Sequence, residues 1–119
     1  MKSYIRIYGP PFLEAIKALE KIAINMPDVY IMHPLIEAFL TTAQTTEPVW
    51  ANLAMNYFGP AIPRTRRGKI ISKSGERMGD YDFYFEWAKD PTMEELHNLI
   101  EKIDSAFSLL GCRYTITTK

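Results

Sequence analysis

The chain predicts an α+β fold, an antiparallel sheet with two helices laid on one of its faces. Two neighbouring stretches carry that expectation. Gly79–Trp87 sets Tyr81, Phe83, Phe85 and Trp87 at alternate positions with Asp82, Tyr84 and Glu86 between them, the period-two pattern of a strand with one buried face. Soon after it, Met93, Leu96, Ile100, Ile103, Phe107 and Leu110 recur at helical spacing and Gly111 follows them, which is the pattern of an amphipathic helix with a glycine stop.

The other elements follow in order. Ser3–Tyr8 alternates Tyr4, Arg6 and Tyr8 against Ile5 and Ile7, a half-buried strand that Gly9-Pro10-Pro11 ends. Proline fits the first turn of a helix, where the N–H it lacks has no partner in any case. Phe12, Ile16, Leu19 and Ala23 then share a face up to about Asn25. Val29–Met32 is a candidate second strand. Leu35, Ile36, Phe39 and Leu40 read as a short helix, and Pro48, Trp50, Leu53, Ala54 and Tyr57 as another, closed by Gly59-Pro60. A strand over Lys69–Lys73 is expected to turn at Ser74-Gly75-Glu76 into a hairpin with the aromatic strand. Asp90 with Pro91, or Thr92 with Glu95, caps the last helix, and Arg113–Thr118 closes the sheet.

Residues 1–119 therefore read as one domain, a ferredoxin-like split βαβ arrangement with a helical insertion around residues 34–60. Both helices cover one face and leave the other open. Tyr4, Arg6, Tyr8 and Tyr84 are placed on that open face, and with Trp50 of the insertion they are the candidate interface residues. Such a face is commonly closed by pairing sheets in a homodimer or by the chain's own insertion.

Composition sets limits on function. Apolar residues make up 47% and charged residues 24%, ordinary values for a globular domain. Lys+Arg and Asp+Glu both number 14, so no global field draws in nucleic acid or an acidic membrane. The one cysteine, Cys112, excludes an internal disulfide framework and fits a reducing, cytoplasmic setting. No stretch reaches the ~20 apolar residues of a membrane span.

Arg64, Arg66, Arg67, Lys69, Lys73 and Arg77 gather basic charge with only Glu76 among them. Arg64, Arg66, Arg67 and Lys69 are the candidate ligand-binding residues, since arginines offer paired donors to phosphate or carboxylate. A solvated loop beside an edge strand is the competing reading. His33 and His97 lack further ligands at metal-binding spacing, no catalytic partner for His33 is evident, and Cys112 reads as a small buried hydrophobe. No cofactor is called for.

Gly79-Asp80-Tyr81-Asp82 resembles the Gly-x-Tyr-Asp stretch of the effector-binding domains of leucine-responsive (Lrp/AsnC) regulators. In that family the motif opens a ferredoxin-like strand, followed by a helix and a final strand with threonines, as at Thr115, Thr117 and Thr118. The resemblance implies a dimeric α+β sandwich with a small molecule between subunits. It does not extend to a DNA-binding module, nor to the stretch from His33 to Pro63.

The functional expectation is a non-catalytic protein acting through homo-oligomerisation or association with a protein partner, with a small anionic ligand. The alternative is a cofactor-independent enzyme of the dimeric α+β barrel type. An RNA-binding sheet fits less well, because Asp80, Asp82 and Glu86 would repel phosphates beside the aromatic platform.

Overall fold

A computed structural model describes residues 1–26, 28–43, 58, 70–72 and 79–119. The elements are β1 (Lys2–Tyr8), α1 (Phe12–Ile24), β2 (Val29–Met32), α2 (Pro34–Ala43), β3 (Phe83–Trp87), α3 (Met93–Leu110) and β4 (Arg113–Thr118). The four strands form one sheet in the order β2-β3-β1-β4, and every neighbouring pair is antiparallel. The chain is thus an α+β protein with helices against an antiparallel sheet. None of the helices among the described residues is long and apolar enough to cross a membrane.

The alternation in the strands fixes the faces. Ile5 and Ile7 of β1, Phe83, Phe85 and Trp87 of β3, and Val29 and Ile31 of β2 point to one side. They are buried there with Ile16, Leu19 and Ala23 of α1 and Leu99, Ile103 and Phe107 of α3. Burying side chains of this size contributes roughly 1.5–3 kcal/mol each. Ser3 is the polar member of the β1 core face, and its hydroxyl is satisfied on both sides. It accepts from Trp87 Nε1 at 2.9 Å and shares a hydrogen bond with Thr118 Oγ1 at 2.8 Å.

Helix α3 begins on Thr92, not Asp90. Thr92 Oγ1 accepts from Glu95 N at 3.1 Å while Glu95 Oε1 accepts from Thr92 N at 2.9 Å, so two end donors are met by a reciprocal pair. It ends at Gly111, whose φ of 69° is open to glycine at little cost. Met93, expected on the apolar stripe, is 69% exposed because it precedes the first turn that reaches the core.

The expected hairpin onto β3 is corrected. Both edges of β3 are taken, by β1 and by β2. Ile70–Ser72 lies instead along the outer edge of β2 in parallel. Ile31 N donates to Ile70 O at 2.7 Å, and Ser72 N donates to Ile31 O at 2.8 Å. The turn at Ser74-Gly75-Glu76 and the helix expected around Trp50 and Tyr57 lie outside the described residues.

Asp82 joins β3 to β1. Its N–H donates to Ile5 O at 2.9 Å and its Oδ2 accepts from Ile7 N at 2.8 Å. The carboxylate continues the ladder past the last paired residue, directly after the turn that Gly79 makes at φ +63°.

Candidate functional site

The sheet face turned away from the helices divides into two halves. Over β2 and β3 it is closed. Tyr84 is 0% exposed, with Tyr4 and Met32 also buried. Tyr84 Oη donates to Ser72 Oγ at 3.2 Å, and Ser72 Oγ donates to Glu86 Oε1 at 2.9 Å. Lys2 Nζ stands 3.9 Å from the same carboxylate. The expectation that Tyr4 and Tyr84 lie open is therefore corrected. The segment Ile70–Ser72, which sequence reading assigned to a hairpin, brings its serine over that half instead.

Over β4 and the Arg6–Tyr8 end of β1 the same face is open. Arg113, Thr115, Thr117 and Lys119 of the β4 chain are all exposed, and Thr115 and Thr117 stand opposite Arg6 and Tyr4. Tyr81 is the aromatic centre of this half. Its ring lies 4.8 Å from that of Tyr4, with Arg6 Cζ at 5.7 Å and Lys119 Nζ at 5.6 Å from its centroid. Cations over aromatic faces at this range are attracted by the ring quadrupole. Arg6 also donates through Nε to Asp80 O at 3.1 Å. A side-chain hydrogen bond to Tyr8 is the leading influence raising the Arg6 pKa. Neither β1 nor β4 carries an acidic residue. The carboxylates of Asp82 and Glu86 are engaged by Ile7, Ser72 and Lys2. With Arg6, Arg113 and Lys119 against Asp80, whose charge acts on Arg6, this half of the face has an excess of cations and is rich in hydroxyls within a chain whose formal charge is zero.

The outer edge of β4 is the second feature. Lys2 and Lys119 exchange backbone hydrogen bonds of 3.0 and 2.9 Å. Bonded and non-bonded pairs alternate along an antiparallel ladder, so Tyr4–Thr117, Arg6–Thr115 and Tyr8–Arg113 are the other bonded pairs of this register. The backbone N–H and C=O groups of Tyr114, Ile116 and Thr118 then face away from β1. No strand among the described residues lies on that side. Tyr114 and Ile116 are half-buried on the helix face, and Tyr114 Oη is tied to α3 through Asp104 Oδ1 at 2.5 Å.

Of the residues singled out in the sequence, Tyr4, Arg6, Tyr8 and Tyr84 share the far face, with Tyr8 exposed at 45%. Arg64, Arg66, Arg67, Lys69 and Trp50 lie outside the described residues. Cys112 is buried, its thiol donating to Tyr8 O at 3.4 Å. His33 has the partner that sequence reading did not find. Its Nε2 is 2.9 Å from Glu20 Oε2, and its Nδ1 accepts from Leu35 N at 3.2 Å. Glu20 sits on the buried stripe of α1, one residue after Leu19, and a lone acid within an apolar stripe is the one signal of it that the sequence holds. With both ring nitrogens engaged and the ring fully buried, His33 offers no nitrogen to a substrate.

A groove of about 890 Å³ runs between α1 and α3, lined by Lys17, Lys21 and Ile22 on one side and Glu101, Ala106 and Leu109 on the other. Its walls combine alkyl chains with the acidic and basic side chains of Glu14, Lys17, Lys21, Glu101 and Lys102. Among the described residues no cluster of His, Cys, Asp and Glu could hold a metal ion. The chain matches no family model, and no curated protein or solved structure matches it significantly.

Proposed function

We propose that this protein is non-catalytic and works by association, forming a homo-oligomer through its sheet, with a small anionic ligand on the cationic half of the far face. The inequality of the two sheet edges carries this reading. Ile70–Ser72 occupies the outer edge of β2, while the outward backbone of β4 has no strand against it among the described residues. An exposed edge is a template for adding another strand.

Arg6, Arg113 and Lys119, with the hydroxyls of Thr115 and Thr117 between them, support the anionic ligand. Cations on one face, with Arg113 and Lys119 exposed and Arg6 half-buried, beside donor hydroxyls suit a carboxylate or phosphate group. The ferredoxin-like description of the sheet is supported by β3 lying between β1 and β2 and by β1 lying between β3 and β4. The likeness to Lrp/AsnC effector domains rests on the residues Gly79 and Asp82 of the motif, which here stand at a positive φ and as the bridge from β3 to β1. An acid–base role for His33 is disfavoured by its two occupied nitrogens.

Light scattering on the purified protein at several concentrations, with native mass spectrometry on the same sample, tests the proposal. A stable oligomer is expected. A monomer at every concentration, with nothing bound, overturns it.

A further inference from the structure

We infer that two copies join edge to edge through β4, antiparallel and about a twofold axis that places Thr115 opposite the partner's Thr115. This rests on the reading of the protein as a homo-oligomer and goes further by fixing the surface and the register.

The backbone groups of Tyr114, Ile116 and Thr118 face outward, so a second β4 must present the same residues in its bonded positions. Three twofold registers pair at least two of these residues with the partner's, centred on Thr115, Ile116 or Thr117. Side-chain faces are continuous across such a pair, because residues directly opposite each other share a face.

Charge excludes one of the three. Centring on Ile116 sets Arg113 directly opposite the partner's Lys119, and symmetry repeats the contact. These would be non-bonded pairs, in which side chains come closest, and like charges there are destabilising. Centring on Thr117 sets Ile116 against the partner's Thr118, a poorer apolar match. Centring on Thr115 sets Tyr114 against the partner's Ile116 on the helix face, an aromatic–β-branched pair of the favoured kind. Both residues are half-buried in the single chain, and the pair closes over them. On the far face Arg113 then meets the partner's Thr117, a neutral hydroxyl. The cationic halves of the two far faces become neighbours in one continuous sheet.

Disulfide trapping tests the register apart from the association. In the proposed dimer Thr115 forms a non-bonded pair with its own copy, with Cα atoms about 4.5 Å apart, inside the range a disulfide spans. Thr115 and Thr117 are both exposed, so either accepts cysteine without disturbing the core, and the native Cys112 is buried. Under mild oxidation most of the Thr115→Cys chain is expected to run as a covalent dimer on a non-reducing gel. The Thr117→Cys chain, whose sulfurs would lie about four residues apart along the strands, is expected to stay monomeric there. Light scattering that shows a dimer while Thr115→Cys fails to cross-link overturns the register and leaves association standing. Efficient cross-linking of Thr117→Cys overturns it equally, in favour of the Thr117 centre. A wild-type chain that is monomeric throughout overturns both.

Discussion

Nε2 of His33 stands 2.9 Å from Oε2 of Glu20 and ties the end of β2 to the middle of α1. The ring's other nitrogen accepts from the backbone at the start of α2, which leaves the proton on Nε2 to donate to the carboxylate. The imidazole also stacks on Phe83, with centroids 5.4 Å apart. One side chain therefore fixes the corner where helix, strand and the next helix meet. Replacing His33 by alanine leaves a buried carboxylate without this donor and removes the cap from α2. We expect a loss of ~2–4 kcal/mol, from a buried acceptor left without its donor together with the lost cap and the emptied ring site. Glu20→Gln keeps an acceptor for Nε2 and is expected to cost about 1 kcal/mol. Urea titrations of both variants check the order, and equal losses would show that the hydrogen bond is not what matters.

Phe85 tests the assignment of faces. It is fully buried on the helix side of β3, and Phe85→Ala is expected to cost ~3–5 kcal/mol. A loss under about 1 kcal/mol in an unfolding titration would place it on the wrong face.

That assignment was legible because the period of two in Phe83, Phe85 and Trp87 is a local property of the chain. The Thr92–Glu95 cap and the Gly111 stop were legible for the same reason. Two features were not. Whether Tyr84 is open or covered depends on Ser72, twelve residues away, and spacing along β3 says nothing of what arrives from elsewhere. The partner of His33 lies on a different element, and its only trace in the sequence is an acid at position 20, between Leu19 and Lys21. Alternation tells faces apart. It does not tell which strand takes which edge, so Ile70–Ser72 could be read as a hairpin partner of β3 when it pairs with β2.

Tyr114 gives a dependence on alkaline pH. Its phenol pKa is raised well above the ordinary value, chiefly by partial burial and then by its hydrogen bond to Asp104 and the charge there. The folded state holds the phenolic proton more tightly than the unfolded state does. This contribution is therefore complete below the unfolded value near ~10 and is lost as pH rises toward the higher folded value. Tyr114→Phe removes the ionisation. The stability difference between wild type and variant is expected to be constant from about pH 7 to 9 and to shift in the variant's favour above about pH 10. Urea midpoints measured for both proteins across that range check it, and parallel curves would mean that Tyr114 titrates as it does in the unfolded chain.

Salt should strengthen the proposed dimer. With Thr115 on the axis, Arg113 lies diagonally from the partner's Lys119, about 7–8 Å away by strand geometry. Symmetry makes two such pairs. Each repels by roughly 0.5 kcal/mol in water, so together they oppose association by about 1 kcal/mol, which is close to a fivefold change in dissociation constant. The Debye length shrinks from about 30 Å at 0.01 M salt to about 3 Å at 1 M, so most of that repulsion disappears across the range. The hydrogen-bonded edge and the contact of Tyr114 with the partner's Ile116 are little screened. Sedimentation equilibrium in 0.01 M and 0.5 M sodium chloride should show the dimer tightening by about three- to fivefold. Lys119→Ala should tighten it at low salt and flatten the dependence. A dimer that weakens as salt rises would be held by opposite charges, which β4 itself does not carry, and would overturn this account of the charges at the seam.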